Sequence, residues 1–360
     1  MQQAPSTSDE AFQDYILQGV SRTFALTIPQ LPEPLCRAVS NAYLLCRIAD
    51  TIEDDAGFDF ATKKAYSEAF VSIVKGSQPV GEFGAQIAPA LAAHATPAER
   101  ELLENTDKVI RITHSLNDHQ REAMARCVAT MAEGMVRYQG QETLDGVADQ
   151  GAMDRYCYYV AGVVGEMLTA LFCDHCDGLK ARETEMMHLA VSFGQGLQMT
   201  NILKDIWDDR ERGACWLPKD GFMQRGIHLS QVSPGTGGVE FEEELGHLIA
   251  IALGHVRNAL RYTLIIPAKE TGIRRFCLLA LFMAVLTLRK LNSRRSFSSG
   301  QQVKISRNAV KTVVGATSIS VRSDFLLNQI FRLTSRGLPQ TEIQTPIASV
   351  AEIVATRALP

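Results

Sequence analysis

With 46 % hydrophobic and 21 % charged residues, this 360-residue chain has ordinary globular composition, which excludes wholesale disorder and can supply a large core without staples. Lys plus Arg total 36 against 40 for Asp plus Glu, so the net charge of −4 gives no reason to expect nucleic acid as a partner. At about 150 residues per domain the length leaves room for two domains, a soft prior only.

The N-terminus carries Asp9, Glu10 and Asp14 where a secretion signal would be basic and then apolar, so residues 1–15 read as a loose leading segment and the protein as cytoplasmic. Pro29, Pro32 and Pro34 precede a stretch from Leu35 to Asp55 free of Gly and Pro, which predicts a helix. Helical spacing continues over 61–74, 97–116, 119–138, 152–173, 180–209, 240–264, 272–292 and 319–334, with breaks at 76–79, 140–151, 213–226 and 233–238. The longest apolar run, Cys277 to Leu288, is too short for a bilayer span and reads as a buried helix. Residues 335–360 read as a peripheral tail. Long strand alternation and repeats are absent. The eight cysteines are scattered, and the one CxxC, Cys173 to Cys176, lacks the second pair a zinc site needs, so buried thiols are expected. These signals predict one all-α domain over 1–360 and carry nothing about oligomeric state.

Two stretches carry chemistry. Along 35–55, Tyr43, Arg47, Asp50 and Asp54 are spaced by four, three and four, one line on a helix, while Leu44, Leu45, Ile48 and Ile52 point elsewhere. Glu53, Asp54 and Asp55 then sit at a helix C-terminus, where the backbone dipole is already negative and cations are preferred. A bound divalent cation would relieve that conflict. Gln198, Asn201, Asp205 and Asp209 form a second line, ringed by Leu197, Ile202, Leu203 and Ile206. Oxygen ligands without His or Cys favour a hard cation, Mg²⁺ above all where phosphates complete its shell. Either line alone also reads as a solvated helix face. If the two face each other, they would flank an apolar cavity suited to ionising a diphosphate ester above a hydrocarbon tail.

Asp50-Thr-Ile-Glu-Asp54 and Asn201-Ile-Leu-Lys-Asp-Ile-Trp-Asp-Asp209 resemble the two Asp-rich motifs of the squalene and phytoene synthase family. Ser21-Arg-Thr-Phe-Ala25, Tyr156-Cys-Tyr-Tyr-Val-Ala-Gly-Val-Val-Gly165 and Arg212-Gly-Ala-Cys-Trp-Leu-Pro218 agree with it, in the family's order, over about 20 to 220. The resemblance implies an all-α isoprenoid-synthase bundle around a central apolar cavity, and head-to-head joining of two isoprenyl diphosphates, farnesyl diphosphate by expectation. By the same resemblance Asp50, Glu53, Asp54, Asp205 and Asp209 would hold Mg²⁺, assisted by Asn201. Arg22, Arg47, Lys204 and Arg212 would contact diphosphate, with Ser21 and Tyr43 lining the site. Tyr156 would stand by the reacting carbons as the candidate proton acceptor, together with released diphosphate; the alternative is a core tyrosine. Gly162 and Gly165 serve either close helix contact or a smooth channel.

Members divide by whether NADPH reduces the cyclopropyl intermediate. Gly300-Gln-Gln-Val-Lys-Ile-Ser-Arg307 resembles, in compressed form, a stretch of the reducing members, with Lys304 and Arg307 as cations for the 2′-phosphate beside Arg22 and Arg47. Ser306 replaces an arginine of that pattern, Ala214 stands where many members have another, and a basic interhelical loop is the plainer reading. The expected product is squalene; dehydrosqualene or phytoene without reduction is the nearest alternative, and a non-enzymatic scaffold on the same fold is another. The sequence shows no C-terminal membrane helix of the kind eukaryotic members carry, so peripheral membrane contact is the expectation, with the Arg289, Lys290, Arg294 and Arg295 cluster either touching lipid or forming a solvated helix end.

Overall fold

The computed structural model describes residues 8–21, 24–92, 95–138, 143–341 and 343. Their regular structure is helical, and a single isolated bridge, Val147 to Pro218, is the one β pairing recorded among them. The chain packs as two compact units, Met1–Gly140 with Met167–Ala181, and Gln141–Glu166 with Arg182–Pro360.

In the first unit the Glu33–Asp54 helix is the organising element. Leu44, Leu45, Ile48 and Ile52 are wholly buried, while Tyr43, Arg47 and Asp50 keep partial exposure. Burying such aliphatic side chains contributes roughly 1.5–3 kcal/mol each. Within that core, buried Asn41 donates to the Val109 carbonyl at 2.9 Å and accepts from the Thr113 hydroxyl at 2.8 Å, so its polar atoms are satisfied.

Residues 9–15 are not loose. Ser8 caps an Asp9–Val20 helix that buries Phe12, Ile16 and Leu17, and Arg111 grips both Asp9 carboxylate oxygens at 2.7 and 2.8 Å. The expected 97–116 helix is broken at Asn105 into Pro97–Glu104 and Thr106–Ser115, where the Asn105 amide turns back onto the Glu101 carbonyl.

The second unit is built on three long helices, Glu183–Glu211, Gly238–Ile265 and Thr271–Ser293. A buried polar chain joins the first two: Asn258 donates to the Ser192 hydroxyl at 3.0 Å, and that hydroxyl pairs with His255 Nδ1 at 2.8 Å. A π turn, Tyr158–Gly162, follows the Gln150–Cys157 helix. Glycine is required where this segment meets the Glu183–Glu211 helix: a Cβ at Gly165 would lie 2.4 Å from the Ala190 carbonyl oxygen, and one at Gly194 2.2 Å from that of Ala161. Close backbone approach is therefore what Gly165 provides.

Gln150–His175 and Thr271–Ser293 have the length and hydropathy of bilayer spans, yet more than half of each apolar window is buried inside the protein, as in core helices. Cys173 and Cys176 are buried. The predicted 319–334 helix is two helices, Arg307–Ser320 and Asp324–Thr334, each opened by a capping serine, Ser306 and Ser323. The stretch 180–209 begins later, at Glu183. The 213–226 break contains a short helix, Lys219–Gln224. At the front of the tail Ser335 and Leu338 are buried; residue 342 and residues 344–360 lie outside the described residues. Arg289 is committed to the end of the Asp324–Thr334 helix through the Thr334 carbonyl at 2.8 Å, and Arg295 to the Glu242 carbonyl at 3.1 Å. Those two arginines of the basic cluster serve the fold.

Arg274 is 2 % exposed and donates to the Ile266 carbonyl at 2.7 Å, the Val321 carbonyl at 3.1 Å and Asp324 at 2.7 Å, tying three segments together. Replacing it with Leu strands these acceptors, and a loss of about 3 kcal/mol is expected in urea unfolding. A change within about 0.5 kcal/mol would show that the three segments hold without it.

Candidate active site

In the first unit, Tyr43, Arg47, Asp50 and Asp54 lie along the Glu33–Asp54 helix as their spacing requires. The Tyr43 hydroxyl donates to the Val20 carbonyl at 3.2 Å, and its ring packs on Phe24 with centroids 5.1 Å apart. Ser21 is buried beside it, its hydroxyl accepting from the Phe24 amide at 2.9 Å. Arg22 lies outside the described residues.

Arg47 pairs with Glu99, while its Nε is buried without a partner. Glu99 is itself held by a capping box with Thr96, its carboxylate accepting from the Thr96 amide at 2.8 Å. Burial would raise this carboxyl, but the hydrogen bonds from Thr96 and Arg47 outweigh it and hold Glu99 below its ordinary range. The guanidinium is thus aimed by a residue 52 positions away, with hydrogen-bonding capacity left over.

The acidic end separates by role. Burial, followed by repulsion from Asp54, pushes Asp50 up to about 7, and Arg47 only partly opposes this. Burial and repulsion from Asp54 and Asp50 push Glu53 up to about 8. Asp54 is exposed. Asp55 is buried and structural: its two oxygens accept from the Gly57 and Ala92 amides, each at 2.8 Å.

In the second unit, the last turns of the Glu183–Glu211 helix carry Asn201, Lys204, Asp205 and Asp209 over buried Ile202, Leu203 and Ile206. Lys204 pairs with Asp205 at 2.8 Å, and exposed Arg212 with Asp209. Burial raises Asp209 to about 6, opposed by Arg212 and reinforced by Asp205 and Asp208. Arg210 is spent on the Val232 carbonyl at 2.7 Å, which leaves Arg212 as the solvent-facing cation next to Ala214. The Tyr156 ring stacks on Trp216, centroids 3.8 Å apart and planes within 7°.

The Gly300–Val303 turn packs directly on the acidic motif. A Cβ at Gly300 would sit 3.1 Å from both Asp205 Oδ1 and Asp208 Oδ2. Exposed Lys304 and Arg307 follow, and Ser306 is used as a helix cap, its hydroxyl accepting from the Ala309 amide at 3.1 Å. Glu99, the Trp216 stacking and the Gly300 contact were not legible in advance, because each depends on tertiary packing.

Among the described residues no three His, Cys, Asp or Glu side chains converge closely enough to hold a metal by themselves. The donors nevertheless fit Mg²⁺ with diphosphate, because that ion keeps several waters and takes one or two carboxylates plus phosphate oxygens. Crowded carboxyls with raised affinity for protons are also what a divalent cation would relieve.

The sequence pattern of the family described as squalene/phytoene synthase matches residues 17–309. The chain belongs to that family. It is similar to the squalene synthase of Eremothecium gossypii, 29 % identical over 275 residues that cover 76 % of this chain and 60 % of the relative. Squalene synthase ERG9 of Candida albicans is 30 % identical over 278 residues, with the same coverage of each. The chain thus spans about 60 % of the length of these relatives. In fold it resembles a solved complex of TcSQS with the ligand E5700, TM-score 0.74 at 24 % identity, covering 96 % of this chain and 95 % of that one. A dehydrosqualene synthase complex gives TM-score 0.64 at 18 % identity, covering 88 % and 97 %. The all-α isoprenoid-synthase type of fold expected from the motifs is therefore present.

The raised carboxyls carry a pH signature. An acid with a raised folded pKa stabilises the fold only while protonated, and that contribution disappears as pH rises through about 7 for Asp50 and about 8 for Glu53. His255, pushed down to about 4 by burial, acts in the opposite sense, but only below its ordinary value. Without metal the melting temperature is expected to fall between about pH 6.5 and about pH 8.5, and Mg²⁺ with inorganic diphosphate to remove most of the fall. A flat profile in both conditions would show that neither burial nor repulsion raises these carboxyls.

Proposed function

We propose that this family member is a squalene synthase: it joins two farnesyl diphosphates through presqualene diphosphate and reduces the product with NADPH. The observation that carries the reading is the pair of acidic helix ends, each with carboxyls raised by burial and by neighbouring carboxylates and each accompanied by a cation, Arg47 or Lys204, suited to diphosphate. Asp50, Glu53, Asp54, Asp205 and Asp209, with Asn201, would hold Mg²⁺, whose chemistry is to neutralise the departing diphosphate.

Arg47 offers its unpartnered Nε and Lys204 a compact ammonium, so each can exchange its carboxylate for a phosphate oxygen. Arg212, Ser21, Tyr43 and Arg22 complete the proposed diphosphate contacts. Tyr156 is proposed to accept the proton lost on cyclopropane formation. A neutral phenol is a weak base, so the released diphosphate shares the task. The flat stack on Trp216 fixes the ring against rotation.

Lys304 and Arg307 are the proposed cations for the NADPH 2′-phosphate, with Arg22 and Arg47 contributing; the coenzyme would supply hydride. Ser306 is occupied as a cap, so those two cations carry the coenzyme assignment alone on this segment. The reading makes the protein a single isoprenoid-synthase domain with an apolar chamber, working in the cytoplasm at a membrane edge.

The test is incubation of purified protein with farnesyl diphosphate and Mg²⁺, with and without NADPH, and identification of hydrocarbons by gas chromatography–mass spectrometry. Squalene formed only with NADPH is expected. Dehydrosqualene in both tubes would remove the reductive step, and no product from farnesyl or geranylgeranyl diphosphate would favour a scaffold. Asp50→Asn and Asp205→Asn should each lower turnover about 10²-fold or more without unfolding the protein. Tyr156→Phe should lower kcat by about 10²-fold and leave KM nearly unchanged; normal turnover would make it a packing residue.

A further inference from the structure

We propose that the outer face of the C-terminal helix pair, Arg307–Ser320 and Asp324–Thr334, docks on an anionic phospholipid surface. These helices bury little of their apolar content. Val313, Leu327 and Phe331 face inward, but Ile319 is 84 % exposed, Phe325 70 % and Leu333 66 %. Among the described residues, most of the large apolar side chains left in solvent belong to this pair. Exposed apolar groups concentrated in one place, rather than scattered singly, mark an interaction surface.

The spacing organises them. On Asp324–Thr334, Leu326, Ile330 and Leu333 step by four and three along one flank of the buried Leu327–Phe331 stripe. Phe325 and Arg332, seven apart, lie on the side opposite that stripe, and Arg336 follows one turn beyond. An exposed aromatic ring and leucines beside arginine on the solvent side of a helix fit the pattern of helices that lie in a membrane interface.

Charge selects the occupant. Lys311, Arg322, Arg332 and Arg336 are all exposed. Between residues 304 and 340 the sole acid is Asp324, which Arg274 neutralises at 2.7 Å. The underlying Thr271–Ser293 helix adds exposed Lys290 at its C-terminal end. A second copy docking by twofold symmetry would set these cations against themselves. Anionic headgroups with acyl chains beneath satisfy both the cations and the apolar side chains.

The experiment is sedimentation of the 360-residue protein with phosphatidylcholine vesicles, with and without phosphatidylglycerol. It needs no substrate, so its outcome is independent of the proposed reaction. Binding to the phosphatidylglycerol vesicles, weakened by salt, is expected. Phe325→Asp with Leu333→Asp should weaken it at least tenfold, and Arg332→Glu with Arg336→Glu by about fivefold or more for each cation lost. Val239→Asp, an equally exposed apolar position elsewhere, should bind as wild type. Circular dichroism melting checks that each variant is folded. Equal binding by the folded variants, or no binding by wild type, overturns the proposal. So does a wild-type dimer in light scattering that Phe325→Asp with Leu333→Asp dissolves while vesicles bind neither protein.

Discussion

Like charges forced together at helix ends are the condition on which the rest of the site depends. Two helices finish in carboxylates, where the backbone dipole already disfavours anions, and apolar packing on their inner faces prevents the ends from fraying into water. The surroundings respond by pairing, capping and protonation. Asp55 is consumed by backbone amides, Asp205 and Asp209 each take a cation, and Asp50 and Glu53 are left with raised affinity for protons.

Among the described residues, the three cations proposed for diphosphate each already have a carboxylate partner. Arg47 rests on Glu99, Lys204 on Asp205 and Arg212 on Asp209. On that proposal, binding would exchange partners rather than fill empty positive charge. The carboxylates released by that exchange would become available to a divalent ion in the same event, which would link anion and cation uptake through the same side chains.

The polar stripes of the candidate site were readable because an α-helix converts spacings of three and four into a face, and Tyr43 to Asp54 and Gln198 to Asp209 obey that rule without tertiary help. Glu99 could not be read, since nothing near Thr96 announces that its carboxylate reaches a guanidinium 52 residues earlier. The Asp9–Val20 helix carried its signal in Phe12, Ile16, Leu17 and Val20, but the polar residues before it obscured the start. Arg307–Ser320 was hidden by Gly315 and many β-branched and hydroxyl residues, whose weak helix propensity is offset by the Ser306 cap and by packing.

Where Gly165 lies against the Ala190 carbonyl and Gly194 against that of Ala161, main chain meets main chain with no side chain between them. The distance from the Tyr156 segment to the acidic helix is then set by the peptide backbone, which mutation elsewhere cannot resize. Neighbouring side chains can drift through successive replacements while this spacing stays constant. Such a joint allows a lineage to diverge widely in sequence and retain one geometry, the circumstance in which a 24 % identical chain still superimposes with a TM-score of 0.74.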